Sequence, residues 1–262
     1  MRRLFTVGCS FTHFYWPTWA DILGSTYDAY YNWGLSGLGN RAICERLAEI
    51  SLTQNLTEDD TVVVQWTDFH RHDIHYPDID PRSNWRSGGN IWVKEVEMEW
   101  VKDFWNESSY VYHSLNFIHL GYNLLDNLPC ETFVANMIDI NEDLEKLHPE
   151  YKTINQDNWL MPFATFVKQE NYKGTNHVQW DWDHLIRKKV IKTRQDLHPT
   201  PDLYLKWCEQ EFDKPFQSKL IEKIKQKDWT TVDTSTNQLY NYLDWTDSKY
   251  RVKGKCNDTY FG

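Results

Sequence analysis

The sequence lacks several things that would each have set its class. No apolar run approaches the length needed to span a membrane. The opening residues, Met1-Arg2-Arg3-Leu4-Phe5-Thr6-Val7-Gly8, are basic but carry no long apolar stretch of the signal-peptide kind. The expected location is therefore the cytoplasm, or a virion, which shares that lack. Positive charge is in deficit: 28 Lys and Arg stand against 38 Asp and Glu, a net charge of -10, which argues against a nucleic-acid surface. The five cysteines (Cys9, Cys44, Cys130, Cys208, Cys256) form no close pair, which suits free thiols in a reducing compartment. No Gly-Lys-Ser or Gly-Lys-Thr occurs. The turn Gly34 to Gly39 reads Gly-x-x-Gly-x-Gly and follows a second strand rather than a first, so nucleotide binding is not expected. No cofactor is implied.

What is present is a globular composition with a surplus of aromatic residues. Of 262 residues, 40% are hydrophobic and 25% charged, enough for one large domain with a buried core. Trp, Tyr and Phe number 14, 15 and 12. That excess suggests an aromatic-walled groove for sugar rings or other flat ligands, or rings that simply pack long insertions.

The order of elements in the first third is clear. Leu4 to Gly8 is apolar and β-prone, Pro17 to Leu23 suits a short helix, and Tyr27 to Trp33 reads as a second strand. Asn40 to Leu52 is helical, because Ile43, Leu47 and Ile50 recur at helical spacing with Glu45, Arg46 and Glu49 opposite. Thr61-Val62-Val63-Val64-Gln65-Trp66 is a strand buried on both faces. Alternation of this kind predicts a parallel sheet of about five strands in a three-layer α/β/α sandwich. Ligands in such sheets bind at the carboxyl ends of the strands, where Ser10, Gly37 and Thr67 all lie.

Beyond Thr67 the reading is coarser. Residues 68–106 form one insertion and residues 150–190 another, both without a clean period. Helices are expected over 107–128, 141–147 (Asn141 as N-cap) and 215–227, and a strand over 131–137. Thr200 is placed to cap a helix whose first position is Pro201. The tail from 228 to 262 is polar and unassigned.

Three segments carry chemistry. A serine in a strand-to-helix turn sits where backbone N–H groups stabilise a negative oxygen. It needs a base, and a histidine suits that near neutral pH. A nearby carboxylate can orient the imidazole. Gly37 can bring its N–H close to an oxyanion because it has no side chain. Ser10, Gly37 and Asp196-Leu197-His198-Pro199 supply these parts, in that order, on a single domain. Cys9 is a rival nucleophile. Adjacent side chains point opposite ways, however, so only one of Cys9 and Ser10 can face the site. The cluster His70-Arg71-His72-Asp73-Ile74-His75 contains metal-ligating residue types at a spacing that matches no metal motif, and it reads as a solvated loop. His13 and His177 read as ordinary surface or core residues.

In these three segments the chain resembles the SGNH (GDSL-like) hydrolase superfamily. Gly8-Cys9-Ser10-Phe11-Thr12 is similar to the first block of that family, with Cys9 in place of its Asp. Asn32-Trp33-Gly34-Leu35-Ser36-Gly37 is similar to the second, and Asp196-Leu197-His198-Pro199 to the fifth. The resemblance covers the first seventy residues and roughly 190–212. It implies a flavodoxin-like fold and acyl transfer: Ser10 as nucleophile, His198 as base, Asp196 as its acid, and the N–H groups of Ser10 and Gly37 as oxyanion hole. The implied partner is a small-molecule or glycan ester, with an acylated carbohydrate favoured by the aromatic surplus.

Two departures stand out. The third block of the family supplies an oxyanion-hole Asn. Here the strand leads into Thr67-Asp68-Phe69-His70-Arg71, which leaves Thr67, His70 or Arg71 as replacement donors. Loss of one such donor costs on the order of a hundredfold in rate. The family also spaces acid and base as Asp-x-x-His, whereas this chain has Asp-x-His. Together with the aromatic insertions, these departures leave open a second reading, a glycan-binding or structural module on the same fold with an impaired site.

Overall fold

A computed structural model of the chain describes residues 1–14, 16–75, 85–90, 106–140, 158–172, 175–177, 194–196, 198–213, 215–227 and 229. The chain runs β1 (Arg3–Val7), α1 (Trp19–Gly24), β2 (Ala29–Asn32), α2 (Asn40–Thr53), β3 (Thr61–Trp66), β4 (Arg71–His75) and β5 (Trp85–Asn90). It continues α3 (Glu107–Leu125), β6 (Glu131–Asn136), α4 (Phe163–Gln169), β7 (Thr175–His177), β8 (Arg194–Asp196), α5 (Pro201–Glu211) and α6 (Lys219–Gln226). Among the described residues no helix is long and apolar enough to cross a membrane.

Four strands form one sheet in the order β2-β1-β3-β6, every pair parallel. This is the parallel α/β sheet that the sequence predicts, with four strands rather than five among the described residues. The valine run explains the arrangement. All six residues of β3 are buried, because both faces of this strand are covered. Val63 shares one face with Leu4 and Ala135, under α1, α4, α5 and α6. Val62 and Val64 share the other with Phe5, Val7 and Val134, under α2 and α3. Helices on both sides of the sheet make three layers.

Local chemistry sets several element ends. At α1, the Asp21 carboxylate accepts the Thr18 N–H at 2.9 Å, while Thr18 Oγ1 donates to Thr12 O at 2.7 Å. The helix start is thereby tied to the turn that follows β1. Asn106 caps α3, its side chain accepting the Ser109 N–H at 3.0 Å. Thr200 occupies the N-cap position of α5, but its side chain makes no capping hydrogen bond; Pro201 at the first helical position fixes that start.

The two insertions hold more order than their composition shows. Residues 68–106 contain the antiparallel hairpin β4–β5. Residues 150–190 contain α4, whose Phe163 and Phe166 are buried against α5 and α1. The helix expected at 141–147, with Asn141, and the tail beyond residue 229 lie outside the described residues.

One ion pair anchors the start of the sheet. Arg3 donates from Nε and Nη2 to the two oxygens of Asp60, at 2.7 and 2.6 Å, and Thr57 N–H adds a third bond at 2.7 Å. The Asp60 side chain is fully buried. Burial alone would raise this carboxyl, but the Arg3 and Thr57 bonds outweigh it and hold it below the usual carboxylate range. Arg3→Ala should therefore cost about 3 kcal/mol in denaturant unfolding, because a buried carboxylate loses its partner. The pH dependence follows from the lowered value. The contribution is fully present above the unfolded-chain value near about 4 and is lost as pH falls through the folded-state value. The deficit of the variant should therefore shrink in acid.

Candidate active site

The nucleophile candidate sits on a single tight turn. After β1 the N–H groups of Thr12 and His13 both donate to Cys9 O, at 2.9 and 3.0 Å. The sequence predicts a short helix over Pro17 to Leu23, and α1 begins at Trp19, beyond this turn. Gly8 is required by close approach: a Cβ at this position would lie 2.2 Å from Thr12 Oγ1 and 2.9 Å from Gln65 Cβ. Beneath the turn, Gln65 Oε1 accepts from Thr12 Oγ1 at 3.1 Å, from Cys9 Sγ at 3.2 Å and from Cys9 N–H at 3.3 Å. The Gln65 Nε2 group donates to Trp66 O. Gln65 therefore knits β3 to the turn. It also takes up the Cys9 thiol, which is wholly buried, so Cys9 faces into the protein and Ser10 faces away.

Ser10 Oγ and His198 Nε2 lie 2.7 Å apart, across 188 residues of chain. Two aromatic donors fix the backbone of the histidine segment: Tyr172 Oη donates to His198 O at 2.9 Å, and Trp16 Nε1 to Pro199 O at 3.0 Å. Asp196 ends β8, paired with Thr175 of β7. Its carboxylate lies outside the described residues.

Gly37 sits in the turn after β2 with φ 83°, a left-handed conformation that favours glycine. Its loop is held from both sides. On the inner side, Asn32 accepts the Gly34 N–H at 2.8 Å and donates to Thr12 O at 2.9 Å, while Leu35 N–H donates to Gly8 O at 3.0 Å. These bonds join the Gly37 loop directly to the Ser10 turn. On the outer side, Arg71 Nη1 donates to Leu38 O at 3.0 Å. The Asp73 carboxylate accepts the N–H groups of Gly39 and Ala42 at 2.7 and 3.0 Å. Gly39 is the N-cap of α2 and has no side chain to offer, so Asp73 caps the helix from another strand. Burial pushes the Asp73 carboxyl above its usual range, although both N–H bonds and Arg71 favour the charged form. Asp73→Ala should cost about 1–2 kcal/mol in denaturant unfolding, the range for losing an N-cap. Asp73→Asn, which keeps an acceptor oxygen, should recover part of it.

Each of the replacement oxyanion donors suggested by the sequence has a partner among the described residues. Thr67 N–H donates to Asn40 Oδ1 at 2.9 Å, Asn40 Nδ2 returns a bond to Thr67 O at 3.1 Å, and Thr67 Oγ1 donates to Met137 Sδ at 3.5 Å. Arg71 Nη2 reaches the same sulfur at 3.6 Å. His70 Nδ1 lies 2.7 Å from Asp68 Oδ1, and its Nε2 lies 3.4 Å from Glu107 Oε1.

His72, in the same segment, also has a structural partner. His72 Nδ1 lies 2.8 Å from Tyr110 Oη, which links β4 to α3. Burial, then the nearby Arg41 charge, lowers His72 and favours its neutral form. Among the described residues, no group of three or more His, Cys, Asp or Glu could hold a metal ion. Burial pushes the thiols of Cys44 and Cys130 up to about 11, so neither is a thiolate near neutral pH.

Among the described residues, many aromatic side chains lie in the core. Trp16, Trp19, Trp66 and Trp207 are fully buried, and Trp33 and Trp229 nearly so. Sequence reasoning missed Gln65 and Asp73. A polar residue within the apolar run of β3 is a signal for Gln65. Nothing in the sequence singles out Asp73 as a helix cap.

No family model matches the chain, and no curated protein matches it. Among solved structures it is similar to a member of the lipolytic protein G-D-S-L family from Veillonella parvula DSM 2008. That likeness has 13% identity, covers 81% of this chain and 97% of the other, and has a TM-score of 0.35. It is too slight to carry an argument about function.

Proposed function

We propose that the protein is a serine hydrolase of carboxylic esters, with Ser10 as nucleophile and His198 as general base. The observation that carries this reading is the 2.7 Å approach of Ser10 Oγ to His198 Nε2. A hydroxyl alone is a poor nucleophile near neutral pH, and an imidazole at this distance can take its proton as the oxygen attacks. The tight turn around Ser10 and the loop of Gly37 are bonded to each other. Their N–H groups are the proposed donors to the tetrahedral oxyanion. Collapse of that intermediate expels the alcohol, which receives the proton from His198. Water, deprotonated in turn by His198, then attacks the acyl-enzyme and releases the acid and a free Ser10. Asp196 is the proposed acid behind His198 on the strength of sequence position.

A fluorophosphonate probe tests the assignment without knowledge of the substrate. Attack by Ser10 Oγ forms an O–P bond, expels fluoride and passes the hydroxyl proton to His198. The modified peptide should contain Ser10. A chain that takes no label, or takes it at another residue, sinks the proposal in favour of a binding module on the same fold. Acetylated sugars run beside short-chain aryl esters would then identify the alcohol and test the proposed preference for acylated carbohydrate.

A further inference from the structure

Resting on the reading of His198 as a base, we infer that Phe14 is a positioning residue for it, one that supports the imidazole through the face of its ring. The two rings are stacked, with centroids 4.0 Å apart and planes 16° from parallel. Phe11 closes on the same imidazole at 4.9 Å and 41°. Phe14 is itself braced, edge-on, by Trp16 at 4.6 Å and 74°. Trp16 is fully buried, and its indole N–H holds the carbonyl of Pro199, next to the base. Ser10, Phe11, Phe14 and Trp16 all belong to one short segment after β1. The segment that presents the nucleophile therefore also grips the base.

The chemistry of the pair gives this grip a direction. The π face of a phenyl ring carries partial negative charge and attracts a cation above it. A base that takes the Ser10 proton gains a positive charge in that step. The stack therefore strengthens as the reaction proceeds, and interactions that are stronger in the transition state raise kcat. A carboxylate orients an imidazole through its other nitrogen, whereas a stacked ring fixes the plane. In a chain with the acid at an unusual spacing, the plane is set from the nucleophile side.

The test compares wild type with Phe14→Leu, Phe14→Tyr and Phe14→Trp. Fluorophosphonate labelling of Ser10 and turnover of a short-chain aryl ester are measured alongside the NMR signals of the His198 ring protons. Stacking at this distance shifts those protons upfield through the phenyl ring current. Phe14→Leu should lose the upfield shift and slow both labelling and kcat roughly 3- to 30-fold, with KM changed less than about twofold. Phe14→Tyr and Phe14→Trp keep a π face and should retain the shift and stay within about threefold of wild type. Equal labelling of the leucine variant and wild type overturns the inference. So does a tyrosine variant that keeps the upfield shift yet is as slow as leucine. A wild type that takes no label fails at the earlier step and identifies the hydrolase reading as the error.

Discussion

Ser10→Ala is expected to abolish hydrolysis of a short-chain aryl ester, by a factor on the order of 10⁴ or more, and to leave the fold intact. The size of the loss follows from removing the only atom that forms the covalent bond. The small structural cost follows from the surroundings. The turn is held by backbone bonds to Cys9 O and by Gln65, and none of these involves the Ser10 hydroxyl. Ser10 is nearly buried at 4% exposure, and its loss removes one side-chain bond, to His198. The denaturation midpoint should therefore correspond to a change of about 1 kcal/mol or less. Turnover of the purified variant, measured beside its unfolding curve, checks both halves. Unchanged turnover would end the assignment.

His198→Gln should come close to the same loss of activity, and the double variant with Ser10→Ala should be no slower than either alone. Groups that act as one unit are not additive: once the nucleophile is gone, the base has no proton to take. Glutamine is the better probe because it keeps some of the volume between Phe11 and Phe14. Alanine would open a cavity against both rings and mix instability with lost chemistry. Ester turnover for the two singles and the double is the measurement. A double variant slower than both singles by the product of their effects would show that the two residues act apart.

The legible part of this molecule is the part in which local pattern and tertiary role agree. The Thr61–Trp66 run opens with four β-branched residues, as a strand covered on both faces favours, and all six of its residues are buried. Asn40–Thr53 shows its apolar spacing because one side of that helix meets the sheet. Ser10 and His198 were recognisable as a pair by order and context. The less legible parts depend on partners distant in sequence. The hairpin of Arg71–His75 and Trp85–Asn90 has no period to read, since its Arg71 and Asp73 serve another loop through Leu38 O, Gly39 N–H and Ala42 N–H. Phe163–Gln169 is a helix of about two turns in a polar, aromatic stretch, and its buried Phe163 ring finds its neighbours on Trp19, Tyr204 and Trp207. Nothing local at the Ser10 turn reveals that Gln65, a residue of another strand, does the holding.

The layer formed by Pro201–Glu211 and Lys219–Gln226 has a consequence for synthesis. These two segments cover Trp16, Trp19 and Leu23, which sit beside the first strand. A chain emerging from the ribosome at roughly 5–20 residues per second would hold that indole-rich surface bare until the segment Pro201–Gln226 has followed it. Any chemistry at Ser10 would be silent for the same interval, because its partner imidazole arrives with the same stretch of polypeptide. The wait leaves an apolar surface prone to association until those two helices are made.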